Sequence, residues 1–202
     1  DANATERAVL SKIGEAKDSL KRGDFFVFYY SGHGGQVDDR DGDESDRKDE
    51  VLLTYDRPIV DDQLAELWKG FREGVRILTL MDACHSGTMV RKATSRGETN
   101  EIVRSPVRPL MLGLNKAEKT DVFRSSGGDD GGIQASLIHL SGCTDAQKAA
   151  DTNQGGAFTL ALLRAMSPPP SRDYDQLYAD IGRHLSNRPQ ISEMHLFGRW
   201  TN

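Results

Sequence analysis

The sequence has few cysteines, no long apolar run and no excess of positive charge. Its 202 residues contain two cysteines, Cys84 and Cys143, which excludes a disulfide-stapled scaffold, and no Cys/His spacing suggests a zinc site. No segment approaches the roughly 20 consecutive apolar residues of a membrane-spanning helix. There are 26 Lys and Arg against 31 Asp and Glu, which argues against the basic face that nucleic-acid binding requires. We therefore expect a globular protein that binds neither nucleic acid nor membrane.

The net charge of −5 comes from one short segment. Residues 38–50 contain eight acidic and three basic residues, whereas the rest of the chain is neutral. Oxygen-bearing side chains between Asp39 and Glu50 have the spacing of an EF-hand loop, but Glu44 stands where such a loop needs glycine, and a strand is predicted before it. We interpret the segment as an acidic loop that steers basic substrates. A calcium-binding regulatory domain is an alternative.

Apolar periodicity predicts that helices and strands alternate along the chain. Helices are predicted over 5–21, 61–71, 156–166 and 173–185, and strands over 25–30, 51–55, 75–81, 136–141 and 191–197, the last as an edge strand. The run 25–30 is wholly apolar, which is typical of a strand buried on both faces of a parallel sheet. The weakly patterned stretch 91–132 predicts a long connection. The alternation predicts an α/β fold with a mainly parallel sheet.

Two predicted strands end in reactive side chains flanked by glycine. The run SGHGG places His33 after one strand, and the run DACHSG places Cys84 after another. Sites in open α/β sheets form at the carboxyl ends of strands, and a histidine beside a cysteine lowers the pKa of the thiol. The amides of Gly34 and Cys84 are candidates to stabilise an oxyanion. His85 competes as the base, but it is expected to point away from Cys84 because the two are adjacent in sequence.

The motifs resemble those of the metacaspases, which are caspase-like cysteine peptidases. The resemblance rests on FYYSGHGGQ (28–36), IVDD (59–62), DACHSGT (82–88), LSGCTDAQ (140–147), GAFT (156–159) and PQI (189–191). It implies a single caspase-like domain over 1–202, a three-layer sandwich with helices on both faces of a mainly parallel sheet. Residues 1–90 would be the part like the large subunit, 91–132 the linker and 133–202 the part like the small subunit. The family's first strand would precede residue 1.

The resemblance implies a cysteine endopeptidase that cleaves after Arg or Lys. The Cys84 thiolate would attack the peptide bond, and His33 would protonate the leaving amine. Ser31 and Asp82 each lie two residues before one of these, so along an extended strand they point the same way as it does. Asp82 would then pair with a substrate guanidinium. For Asp82 alone, the alternative is a carboxylate that caps or orders a loop.

The family also holds calcium with four aspartates. Three positions match, Asp49, Asp61 and Asp62, but the fourth is Arg91. Calcium takes six to eight oxygen ligands, and a guanidinium offers none. We hypothesise that Arg91 pairs with the three aspartates and replaces the cation, so that no cofactor is required. The alternative is that all four are ordinary surface charges.

The stretch 91–132 contains eight Lys and Arg residues at the position where the family separates its two subunits. We hypothesise that the enzyme cuts itself here, and the alternative is a passive loop. The expected partners are peptides or proteins with Arg or Lys before the cleaved bond, and we expect a monomer in the cytoplasm. A catalytically unused caspase-like scaffold, or a partner-binding regulatory module, is the alternative function.

Overall fold

The computed structural model describes residues 2–38, 48–83, 121–124, 132–143, 151–152, 155–167, 173–187 and 192–198. The helices in these ranges are α1 (Glu6–Ser19), α2 (Asp61–Lys69), α3 (Ala157–Ala165) and α4 (Tyr174–Leu185). The strands are β1 (Phe25–Ser31), β2 (Gly34–Asp38), β3 (Lys48–Leu53), β4 (Pro58–Val60), β5 (Arg76–Asp82), β6 (Asp121–Arg124), β7 (Ser136–Ser141), β8 (Asp151–Thr152), β9 (Gly155–Gly156) and β10 (Glu193–Gly198). The four predicted helices are confirmed to within two residues at each end.

The principal sheet has five strands in the order β1-β5-β7-β10-β6. Strands β1, β5 and β7 are parallel, β10 is antiparallel to β7, and β6 is parallel to β10. The register aligns Ser31 with Asp82 and Met81 with Ser141. The carboxyl ends of the three parallel strands therefore lie at one edge of the sheet. A smaller antiparallel sheet has the order β2-β3-β4, and β8 pairs with β9.

Two apolar clusters hold helices against the opposite faces of the principal sheet. Ile13 of α1 and Trp68 of α2 pack with Ile77 of β5, and Phe158 of α3 packs with Leu80 of β5. Because successive residues of a strand point to opposite faces, β5 is covered on both sides. This arrangement confirms the caspase-like α/β sandwich. No described helix is long and apolar enough to cross a membrane.

Side-chain caps explain where two of the helices begin. Thr5 accepts a hydrogen bond from the Ala8 amide at 3.2 Å at the start of α1. Asp173 accepts one from the Gln176 amide at 2.7 Å at the start of α4. Such caps satisfy amides that the first helical turn leaves without an intrahelical partner.

The prediction that residues 25–30 are buried on both faces was wrong. Within the described part of the chain, β1 has one neighbouring strand, β5. Phe25, Val27 and Tyr29 are 46%, 46% and 45% exposed, whereas Phe26 and Phe28 pack against the cluster of α1 and α2. When successive residues of a strand are all apolar, the sequence does not show which of its two faces is covered by another element.

Three further differences concern strands. The last strand was expected at an edge of the sheet, but β10 lies between β7 and β6. Strand β6 lies inside 91–132, where four residues are too few to show a period of two. Strand β2, which no apolar pattern predicts, pairs with β3, whose residues 48–50 lie in the acidic segment that we interpret as a loop. Pairing with distant residues, rather than local pattern, makes these segments strands.

The aromatic cluster around Trp68 is where we expect the loss of a single side chain to destabilise the fold most. The Trp68 side chain is 0% exposed, and its ring lies 5.9 Å from that of Phe28 and 6.0 Å from that of Phe71. Because a cavity would remain, we expect Trp68→Ala to lower the free energy of unfolding by about 3–5 kcal/mol. Urea denaturation followed by circular dichroism measures this. Tyr55→Ala, at a side chain 66% exposed, is the control, and equal losses would contradict the prediction.

Candidate active site

A backbone hydrogen bond joins the turn after β1 to the end of β5. Gly32 donates its amide to the Asp82 carbonyl at 3.2 Å. His33 directly follows Gly32 and has an exposed side chain. Cys84 comes two residues after Asp82 and lies outside the described residues. His33 and Cys84, the two predicted catalytic residues, therefore each lie within two residues, along the chain, of a residue that makes this hydrogen bond.

The end of β7 is tied to the same edge of the sheet. Gly142 donates its amide to the Met81 carbonyl at 2.8 Å. The Cys143 side chain is 0% exposed, and its Sγ donates to the Ala83 carbonyl at 2.9 Å. Cys143 thus packs against the residue that precedes Cys84, which is a structural role at the edge of the sheet.

Tyr30 and β3 fix the backbone of His33. The Tyr30 Oη lies 2.8 Å from the carbonyl oxygens of both His33 and Leu53, and the Leu53 amide donates to the same His33 carbonyl at 2.9 Å. A Cβ on Gly32 would lie 2.7 Å from the Tyr30 hydroxyl, so the close approach of this hydroxyl requires glycine before His33. The turn is held from two sides while the imidazole stays exposed.

The amide N–H of Gly34, the first residue of β2, points away from the neighbouring strand β3. Antiparallel neighbours exchange hydrogen bonds through alternate residues, and the bond from Leu53 to the His33 carbonyl puts His33 at a bonding position. Gly34, which is opposite Leu52 in the register, is then at a non-bonding position. Its N–H is therefore not used in the ladder between β2 and β3.

The structure places the Asp82 carboxylate at the start of α3. Asp82 is 4% exposed, and its Oδ2 accepts hydrogen bonds from the Thr159 amide at 2.9 Å and the Thr159 hydroxyl at 2.5 Å. A carboxylate at a helix N-terminus is favoured by the helix dipole. Asp82 thus has the capping role that is the alternative to substrate binding for this carboxylate. Ser31, the register partner of Asp82 on β1, is exposed.

The three aspartates of the hypothetical calcium site lie on neighbouring elements. Asp49 is on β3, and Asp61 and Asp62 begin α2 directly after β4, which pairs with β3. Asp49 and Asp61 are 2% and 0% exposed. Across the described ranges, however, no three His, Cys, Asp or Glu side chains are grouped so that they could hold a metal ion. Within these ranges the three aspartates therefore form no metal cluster by themselves, and Arg91 lies outside the described residues.

Sequence reasoning missed the supporting residues of this edge. The pattern of residues 25–30 indicates only an apolar strand for Tyr30, and the motif GAFT indicates no role for Thr159. The position of Thr159 is the signal that could have indicated its role. It is the third residue of α3, where the backbone amide has no intrahelical partner and can bind a carboxylate. No comparable signal in the sequence points to Tyr30, whose partner Leu53 is 23 residues away.

Comparison with known proteins identifies the family. Residues 1–92 match a family model described as "Metacaspase, peptidase C14 domain". Metacaspase-1 of Schizosaccharomyces pombe is 33% identical over 212 residues, which cover 85% of this chain and 50% of that protein. The chain belongs to the metacaspase family. Metacaspase-1 of Saccharomyces cerevisiae (strain ATCC 204508 / S288c) is 28% identical, over 92% of this chain and 51% of its own length.

A solved structure supports the metacaspase-type fold. The crystal structure of a protein from Geobacter sulfurreducens superposes on this chain with a TM-score of 0.69 and 31% sequence identity. The superposition covers 98% of this chain and 75% of the Geobacter protein chain. The chain spans about half the length of the curated metacaspases that it matches.

The hydroxyl of Tyr30 predicts how stability changes at alkaline pH. Burial raises the pKa of Tyr30 above its ordinary value, near 10 in an unfolded chain. A raised pKa means that the neutral hydroxyl stabilises the fold fully below about pH 10 and that this contribution is lost as pH rises through the folded value. We expect the wild type to lose more free energy of unfolding between about pH 9 and 11 than Tyr30→Phe does.

Urea denaturation at several pH values measures this difference. Tyr55→Phe, at an exposed side chain, is the control and should follow the wild type. At pH 7 we expect Tyr30→Phe to cost about 1 kcal/mol, because the His33 and Leu53 carbonyls lose their common donor. Parallel curves for the wild type and Tyr30→Phe would show that the Tyr30 ionisation is not coupled to folding.

Proposed function

We propose that this chain is a cysteine endopeptidase that cleaves after Arg or Lys, with Cys84 as the nucleophile and His33 as its acid–base partner. The observation that carries the proposal is the hydrogen bond from Gly32 to Asp82. It supports the dyad because it joins the turn before His33 to the strand end before Cys84. The match to the metacaspase peptidase domain over 1–92 also supports it.

The proposed reaction has two stages. The Cys84 thiolate attacks the carbonyl carbon of the peptide bond, and the resulting oxyanion accepts hydrogen bonds from the amides of Gly34 and Cys84. Collapse of this intermediate breaks the C–N bond as His33 protonates the leaving amine, which leaves a thioester. Water, deprotonated by His33, then attacks the thioester carbonyl and breaks the C–S bond, which releases the carboxylic acid and restores the Cys84 thiolate beside the protonated histidine. The position of the Gly34 amide outside the β2–β3 ladder is consistent with this use.

The surroundings of Asp82 support a preference for basic side chains. Its carboxylate is almost fully buried, and the ion pairs within the described ranges include none to Asp82. A buried carboxylate without a cation is costly, so a substrate guanidinium or ammonium is the natural partner. Ser31, beside Asp82 in the register, would line the same pocket.

The remaining elements of the proposal concern the conditions of activity. We take Arg91 to pair with Asp49, Asp61 and Asp62, so that calcium is not required. The linker 91–132, rich in Lys and Arg, supplies self-cleavage sites of the proposed specificity. We take the enzyme to be a monomer, and we assign it to the cytoplasm because a nucleophilic thiol must stay reduced.

Hydrolysis of matched fluorogenic peptides tests the peptidase. The protein is assayed on two peptides that differ only in Arg or Asp before the cleaved bond, once with calcium and once with a chelator. We expect the Arg peptide to be cleaved, equally in both conditions, and Cys84→Ala to abolish cleavage. Asp82→Asn should lower kcat/KM for the Arg peptide by about 100-fold, since a buried charge pair is lost.

Each other outcome has a definite meaning. Failure of the folded protein to cleave either peptide would favour the catalytically unused scaffold. Preference for the Asp peptide would overturn the assigned specificity. Activity only with calcium, together with calcium binding in isothermal titration, would overturn the role given to Arg91.

Mass spectrometry of the purified protein tests self-processing. We expect the wild type to show cuts after Lys or Arg within 91–132, and Cys84→Ala to remain a single chain because its nucleophile is missing. Added wild-type enzyme tests whether the Cys84→Ala linker is accessible to cleavage in trans. An active wild type that stays intact on prolonged incubation would contradict self-processing.

A further inference from the structure

We propose that Thr159 is a positioning residue that orients Asp82 toward a basic substrate side chain. Tyr29 supports Thr159 by donating a hydrogen bond to its hydroxyl. The inference rests on the proposed role of Asp82 in substrate binding. The residues concerned come from three separate elements, β1, β5 and α3, and they meet at the carboxyl edge of the sheet.

The hydrogen bonds to Asp82 are directed at one of its two oxygens. Both the amide and the hydroxyl of Thr159 donate to Oδ2, at 2.9 Å and 2.5 Å. Within the described ranges, no hydrogen bond goes to Oδ1. Because Thr159 is in the first turn of α3 and its β-branched side chain has few rotamers, both donors are held in place by the helix. Oδ2 is therefore anchored, and Oδ1 remains for a cation.

The direction of the proton donors follows from the chemistry of the groups. The Thr159 hydroxyl has one proton, and it donates that proton to Asp82 because an ionised carboxylate can only accept. The Tyr29 hydroxyl, 2.8 Å from the Thr159 Oγ1, must then donate to Thr159. The chain of donors runs from Tyr29 to Thr159 to Asp82, and such chains strengthen each bond in the series.

The backbone of Gly156 packs against the Asp82 carboxylate. A Cβ at this position would lie 2.0 Å from Oδ2 and 2.8 Å from Oδ1 of Asp82. The carboxylate therefore packs directly on the backbone at the N-cap of α3. This contact, together with the bonds from Thr159, leaves little freedom for the carboxylate to turn. An Asp82 held in one orientation does not have to be ordered again when a substrate binds.

Kinetics of Thr159→Val and Thr159→Ser test the inference. Valine keeps the shape and the backbone amide but removes the hydroxyl, whereas serine restores it. We expect Thr159→Val to raise KM for an Arg peptide about tenfold, as befits the loss of a hydrogen bond to a charged group, with kcat within about twofold. Thr159→Ser should return KM to within about threefold of the wild type.

Tyr29→Phe provides a second variant, because Tyr29 is on the surface and its loss should not prevent folding. We expect a smaller rise in KM, about threefold, since only the outer donor is lost. Tyr55→Phe is the matched control and should leave KM unchanged. The rate of Cys84 alkylation, which does not involve Asp82, should be the same in all variants.

The outcomes separate this inference from the proposed function. A wild type that cleaves the Arg peptide while both Thr159→Val and Tyr29→Phe retain its KM would overturn the positioning role alone. A fall in kcat and alkylation rate with unchanged KM would show a general structural role, and would also overturn it. A wild type with no activity on the Arg peptide would overturn the proposed function and this inference together.

Discussion

The candidate active site depends on Asp82, which is bound through both its backbone and its side chain. Its carbonyl accepts the Gly32 amide and so holds the turn that carries His33. Its carboxylate accepts two hydrogen bonds from Thr159 and so sets where α3 begins. A displacement of Asp82 would therefore move the histidine turn and the helix together, as well as the segment leading to Cys84. The fold and the site are stabilised by the same contacts.

Strong local patterns were enough to predict the elements that surround this residue. The strands β5 and β7 and the helices that alternate with them follow from patterns among residues close in sequence. The errors arose where distant pairing decides the structure. Strand β2 forms because β3 lies beside it, and β10 is internal because β6 pairs with its far side. The apolar run of β1 indicated a strand, but it could not show that Phe25, Val27 and Tyr29 would be exposed.

Sequence reasoning named the reactive groups of the candidate site but not the residues that support them. Histidine and cysteine at strand ends have a chemical signature, and the rule for α/β sheets predicts that they lie at one edge of the sheet. Tyr30 and Thr159 have no such signature, since each acts through a partner on another element. For Asp82, sequence reasoning supplied both a capping and a binding role. The two are compatible because the cap uses Oδ2 and leaves Oδ1.

The burial of Cys143 has a practical consequence for work on this protein. The sequence contains two thiols, and that of Cys143 is fully covered and hydrogen-bonded to the Ala83 carbonyl. A thiol that reacts with an alkylating reagent in the folded protein is therefore Cys84. The number of reagent molecules bound per chain then counts the reactive Cys84 thiols in a preparation, and turnover can be expressed per reactive thiol.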